Sequence, residues 1–438
     1  MTPNRNRVDA DAIDHCTCFA VETTPCEPPA DWSAETAIEF ISMDLSGVKE
    51  TLVSDVTAER RTMAVGDRPN VKGIRNCSAS FVLKLHGIGT ETADTMQVPN
   101  TALAKILKHC MGQAIRGYST TITGGTAAIP VVDATTGIIP GVMLAFEDAT
   151  SPTAQNTGIV HFRRVIAVNG GTKAVTLSEV LPFTPADGDV VHGCVTAAFS
   201  HSYLVDAVAA GGLFSWFCKR EEGNTDDDLL WELQGAVASM SLDGLGRGSL
   251  PTIKLDVAAA NFRHSAEDDL ANVALAAPEG HAQLSMGTGP RLLISPAGST
   301  ATAEFDLNEV SFDFGVVRKP TTSTTERLHR FDGLSSYHYD PAKSYITTKL
   351  VGYTPAWYAA LKVDAEYRIT LYQPGDGTGA GKGWCLHAAK ARLVETPARA
   401  DIDMVHGASL KWQLVEPSDC TGGSNEDLEK SRFVIALA

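Results

Sequence analysis

The clearest alternation of apolar and polar positions predicts a strand over Ser78–Gly87, closing on Lys84, Leu85, His86 and Gly87. A helix follows, with apolar positions Leu103, Ile106, Leu107, Cys110 and Met111 at i, i+3, i+4, i+7, i+8 spacing, which makes one face to lay on a sheet. Asn100 is placed to cap it and Gly112 to stop it. The second half of the chain writes the same statement again. Lys343–Gly352 reads as a strand ending in Lys349, Leu350, Val351 and Gly352. It leads into a helix with Thr354 as cap, Pro355 at the first helical position, and Trp357, Tyr358 and Leu361 as the buried face.

The flanks agree. Upstream, Ser42–Lys49 resembles Ser311–Arg318, and each is followed by a long polar segment containing Glu-Arg (Glu59 and Arg60; Glu326 and Arg327). Downstream, Phe214–Arg220 leads through a Gly/Asp loop into Leu230–Leu233, as Tyr367–Tyr372 leads through Gly375–Gly381 into Trp384–Leu386. Four landmarks in one order point to an internal duplication.

Around these landmarks the pattern divides the chain. Residues 1–36 are polar, Pro-rich and aperiodic, and read as an N-terminal arm. A strand begins at Ile38, with some apolar surface on both faces: Ile38 and Phe40 on one, Ile41, Met43 and Leu45 on the other. Residues 37–125 and 201–263 are the two parts of the first repeat, and 291–417 is the second. Residues 126–200 have no counterpart; short β-rich runs between Gly/Asn/Asp turns predict a small inserted β-barrel there. Residues 264–290 suit a linker. Residues 418–438 form a C-terminal arm whose apolar run Arg432–Leu437 can add a strand to a sheet edge.

Composition narrows the function classes. The 438 residues carry 52 acidic against 36 basic side chains, a net charge of −16, which argues against tight wrapping of nucleic acid. No apolar run reaches the ~20 residues of a membrane helix, and no apolar segment follows the basic N-terminus as a signal peptide requires. Cys77, Cys110, Cys194, Cys218 and Cys385 sit inside apolar patterns and read as buried small hydrophobes. His15, Cys16, Cys18 and Cys26 are the one grouping with metal-ligand chemistry, but their spacing is not that of a zinc knuckle, so no metal or other cofactor is assigned.

Catalytic motifs are absent as well. There is no Gly-x-Ser-x-Gly and no His-Glu-x-x-His. Gly375–Gly383 fails as a phosphate loop because Gly383 stands where the magnesium-holding hydroxyl is needed. Asp226–Asp228 lacks the spaced ligands of a calcium loop and reads as a solvated turn. No catalytic residue is assigned. The aromatic residues Trp216, Phe217, Trp231, Tyr367, Tyr372, Trp384 and Trp412 are not interleaved with basic residues as a base-stacking platform would be, and read as core.

Together the strand Ile38–Leu45, the long loop with Gly66–Asn70, the strand ending His86–Gly87, the helix 101–111 and the closing pairs Leu230–Leu242 with Thr252–Val257 resemble the major tail tube protein of long-tailed bacteriophages. Trp384–Val394 and Leu410–Val415 are similar to that family's last strands. The resemblance covers about two thirds of the chain; the insert and the N-terminal arm depart from it. It implies a mainly β chain: two tandem tail-tube-like β-sandwich or half-barrel domains, each with a flanking α-helix, plus the inserted barrel. It further implies a structural virion protein, made in the host cytoplasm, whose rings stack into the conduit for DNA ejection. Its partners would be itself, other tail proteins and genomic DNA passing without tight binding. Six tube domains per ring would need three such chains, a homotrimer with pseudo-sixfold symmetry; a homohexamer is the alternative. Contacts between rings are assigned to the loop 50–76, with Arg60, Arg61, Asp67 and Arg68 as ion-pair candidates. A distal-tail or baseplate hub ring of the same fold, and a carbohydrate-binding or hydrolytic adhesion module, remain the competing functions.

Overall fold

In the computed structural model, the described residues are 15–22, 27–33, 35, 37–38, 40–54, 70–87, 101–152, 158–199, 214–220, 229–259, 261–264, 286, 289–314, 316–320, 335–339, 344–352, 356–375, 383–402, 405–421, 423 and 425–438. They form a mainly β protein: one large antiparallel strand network, a closed six-stranded barrel, and three short helices.

The first strand among the described residues is β1 (His15–Val21), inside the segment that the sequence marks as an arm. β1 pairs along its whole length with a later strand, and both of its faces are covered. Phe19 enters the main core, while Cys18 and Ala20 join Trp32, Phe217 and Leu230 in a small cluster behind it. Burial on both sides removes the alternation by which a strand is recognised, which is why the segment looks aperiodic.

β2 (Phe40–Ser54) and β3 (Asn70–Lys84) form a long hairpin. Along β3, Ala79, Phe81 and Leu83 point into the core. Helix α1 (Ala102–Met111) buries Leu103, Ile106, Leu107, Cys110 and Met111, the predicted face. Its N-cap is Thr101, one residue later than the sequence suggests, and the Thr101 side chain makes no capping bond; Asn100 lies outside the described residues. Gly112 ends the helix at φ 100°, a left-handed conformation that glycine adopts without strain.

The insertion departs through β4 (Gly112–Arg116) and returns through β11 (Val195–Phe199), which pair with each other as a stem. Between them β5 (Thr120–Gly125), β6 (Pro130–Val132), β7 (Met143–Glu147), β8 (Val160–Asn169), β9 (Ala174–Leu177) and β10 (Val190–Gly193) close a barrel in the order β10-β5-β6-β9-β8-β7. The inserted barrel is therefore present. It begins six residues before the expected 126, because Thr120–Gly125 is a strand despite its polarity: only Ile122 among its side chains is buried.

The first half then completes its sheet with β12 (Phe214–Arg220), β13 (Leu229–Asp243), β14 (Thr252–Ala259) and β15 (Asn261–His264). The segment expected to be a linker thus begins with the last residue of a strand. Of the remainder, Met286 is described and buried.

The second half contains β16 (Arg291–Pro296), β17 (Glu304–Phe305), β18 (Leu307–Asp313), the two-stranded extension β19 (Val316–Pro320) and β20 (Ser335–Tyr339), and β21 (Tyr345–Val351). Helix α2 (Ala356–Lys362) follows, then β22 (Glu366–Gln373), β23 (Trp384–Leu393), β24 (Ala398–Ile402) and β25 (Val405–Leu414). Helix α2 buries Trp357 and Ala360, whereas Tyr358, expected on its buried face, is exposed. At helical spacing, Tyr358 falls one position, about 100°, from Trp357, and the Trp357 indole fills the available site against Trp412 and Tyr367. Helix α3 (Glu426–Lys430) and β26 (Val434–Leu437) finish the chain. β26 lies between β11 and β23 with all four side chains buried, so the C-terminal run does add a strand, at an internal position.

The two halves use the same pairings. In the first, β2–β3, β3–β14, β14–β13, β13–β12 and β12–β1 are antiparallel neighbours. In the second they are β18–β21, β21–β25, β25–β23, β23–β22 and β22–β16. Registers match at the landmarks. Ser42, Met43 and Asp44 face Val82, Phe81 and Ser80; Ser311, Phe312 and Asp313 face Thr347, Ile346 and Tyr345. Lys84 faces Thr252, and Lys349 faces Ser409.

Candidate assembly edges

An antiparallel strand with one neighbour leaves a row of backbone N–H and C=O groups without a ladder partner, and such an edge readily accepts another strand. Where each half of this chain places its edges therefore decides what it can join.

One edge is already joined. The C-terminal end of β13 meets β18 through the pair Leu242 and Phe312, and the turn beyond it continues the contact through the bridge between Gly246 and Glu309. Val310 N–H donates to the Leu245 carbonyl at 3.2 Å, and Arg247 N–H donates to the Asn308 carbonyl at 2.9 Å. Leu242, Leu245, Val310 and Phe312 are all buried at this seam. Phe312 and Phe314 also pack at a tilt against Phe433, which precedes the C-terminal strand. The extension strand β19 lies against β13 and β14. The joint thus sets the end of β13 in the first half against β18 of the second, the strand that matches β2.

β2 and β24 are among the strands that have one strand neighbour among the described residues. β2 pairs with β3, and β24 pairs with β25. On β2, Ile41 falls at a bulge with no β3 partner and is 50% exposed, while Met43 and Leu45 are half-buried against the core. Asp44 accepts a bond from Ser46 N–H at 2.8 Å, which holds this exposed carboxylate below its usual range. At the other edge, Val394 just beyond β23 is 38% exposed. Glu395 next to it pairs with Lys411 at 2.7 Å, and that bond raises the lysine.

The residues proposed for contacts between rings, Arg60, Arg61, Asp67 and Arg68, lie outside the described residues. The hairpin that carries them is described as far as Ser54 and Asn70. Sequence reasoning did not find the seam at Leu242 and Phe312, since nothing local marks a strand end as a joint. The matched landmarks were the available signal, because they fix which strands are equivalent.

Sequence reasoning also missed a buried polar layer between the barrel and the second-half sheet. Arg368 on β22 pairs with Glu179 of the barrel at 3.0 Å, both almost fully buried. His161 on β8 meets the Tyr372 hydroxyl at 3.2 Å. Burial, reinforced by Arg163 and Arg291, lowers His161 to about 3, and burial lowers His387 well below the ordinary histidine value. Arg164 donates to Asp419 at 2.8 Å and to the Leu428 and Glu429 carbonyls at the end of helix α3, where a cation complements the helix dipole. Gly141 (φ 93°) lies so close to Leu428 that a Cβ there would stand 2.8 Å from its backbone. This layer fixes the barrel to the second half, although its sequence interrupts the first.

The buried thiols of the molecule are chemically restrained. Burial raises the thiols of Cys194 and Cys385, and raises that of Cys218 to about 12, so none is a ready nucleophile. Among the described residues, no three His, Cys, Asp or Glu side chains gather as a metal site, and no helix is long and apolar enough to cross a membrane. No family model matches the chain, and no curated protein matches it in sequence.

Proposed function

We propose that the chain is a structural virion protein whose two tandem tail-tube-like domains assemble into rings, and that stacked rings form the tail tube through which DNA leaves the particle. The observation that carries this reading is the matched set of strand pairings in the two halves, joined edge to edge at Leu242 and Phe312. A chain that already carries one domain-to-domain joint, with a strand edge toward each end that has no partner among the described residues, is built to continue the same joint into its neighbours.

The two halves count as two of the six domains in a ring, so three chains close it as a homotrimer. The net charge of −16 suits a conduit that DNA must pass without sticking. No catalytic step is assigned to it. The test is negative-stain microscopy of the purified protein at rising concentration. Hollow tubes of stacked rings are the expected result. Arrested single rings would favour a distal-tail hub, and a persistent monomer would overturn the reading.

A further inference from the structure

The joint inside the chain supplies a template for the joint between chains. Phe312 on β18 faces Ile346 as Met43 on β2 faces Phe81, so Met43 occupies the Phe312 position. The other side of the joint is located by the register anchored at Lys84 and Lys349, whose partners Thr252 and Ser409 match. Ala238 faces Val257, as Ala391 faces Leu414. This register carries Leu242 onto Glu395, two residues beyond the last residue of β23.

We infer that the end of β23 in one chain, at Val394 and Glu395, pairs antiparallel with β2 of a second copy at Met43, with β24 lying beside β2 as the turn after β13 lies beside β18. The proposal rests on the ring-forming reading and names its contact. Three observations support this occupant. The chain already makes the same joint with itself. Both edges lack a strand partner among the described residues. Ile41 and Val394, two of the few large apolar side chains left exposed there, fall on these two edges and would be covered together.

The new joint differs from its template in one respect. Glu395, with its Lys411 partner, stands where the internal joint has buried Leu242. The contact between chains therefore has a charged rim where the internal joint is apolar.

Cross-strand partners in an antiparallel pair have Cα atoms about 4.5–5.5 Å apart, inside the ~4.4–6.8 Å range that a disulfide accepts. The test combines Met43→Cys and Glu395→Cys in the full-length chain, oxidised under mild conditions beside wild type and each single variant. Assembly of every sample is checked by negative-stain microscopy. The double variant is expected to give covalently linked multimers on a non-reducing gel, reversed by dithiothreitol and absent from wild type. Should the double variant assemble poorly, the two single variants mixed are expected to give linked dimers and nothing larger. Rings or tubes in which both introduced thiols stay reduced would overturn this contact while leaving the ring-forming reading intact. Wild-type protein that never assembles would overturn both.

Discussion

His161 shows how a single side chain can set the conditions under which the fold survives. Folded, it is held neutral beside Tyr372, with its value lowered to about 3 by burial and by Arg163 and Arg291; unfolded, it takes a proton near the ordinary 6.5. Between those limits the unfolded chain binds more protons, so stability is fully present above the ordinary value and is lost as pH falls through the window. Moving from pH 7.5 to 4.5 should remove about 2.5–3 kcal/mol through this group. Denaturant melts of wild type and His161→Gln at both pH values test this: the variant is expected to lose less stability on acidification. Equal losses in the two proteins would show that His161 is not held neutral by its site. His387, lowered in the same direction, keeps a residual acid sensitivity in the variant.

Phe433 carries a different load. It is buried against Phe312 and Phe314, at the internal joint, and leads into the C-terminal strand. Truncation to alanine leaves a cavity where three elements meet, and should cost about 3–5 kcal/mol. Chemical denaturation of Phe433→Ala measures it; a cost under about 1 kcal/mol would mean that the joint closes without this ring.

Among the elements, a strand and a helix with one buried face were legible in the sequence, and the enclosed strand near the N-terminus was not. The strand through Phe81 alternates, and the helix through Ile106 keeps its 3.6-residue face, so both were found. The helix ends fall nearly as expected, whereas the strand begins at Asn70, eight residues before Ser78 and inside the segment read as the polar loop 50–76, whose first residues 50–54 belong to β2. β1 was missed because Cys18 and Phe19 are buried on opposite faces, which erases the period. The barrel was legible from its turns, such as the one where Asn169 Oδ1 accepts from Gly171 N–H, but its first strand was hidden by polar residues along a rim. The polar layer that fixes the barrel could not be read at all. Arg368 and Glu179 are 189 positions apart in the sequence, and only the tertiary fold makes them partners.

The landmarks were more informative than their brevity suggested. Lys84 and Lys349 stand toward the ends of strands whose registers agree, and Met43 and Phe312 lie in strands that agree likewise. Sequence comparison within one chain reached the correspondence of strands because matching strands keep their inward-facing positions even when the residues change. It could not reach the joint, which is a property of how two halves meet.

At the scale of the whole molecule, the inserted barrel breaks the equivalence of the two halves. Its stem strand β11 pairs with β26 of the second half, and its buried ion pairs hold it to that half's sheet. A ring of three chains would then carry three barrels around six similar domains, a threefold exterior on a pseudo-sixfold frame. The central claim is that this chain repeats its internal joint with siblings until a ring closes. Counting chains per ring, by class averages of end-on views together with native mass measurement, tests it most directly. The account predicts three chains, six equivalent domains around one channel, and three barrels. A closed ring of six chains in which only one half of each lines the channel would contradict it.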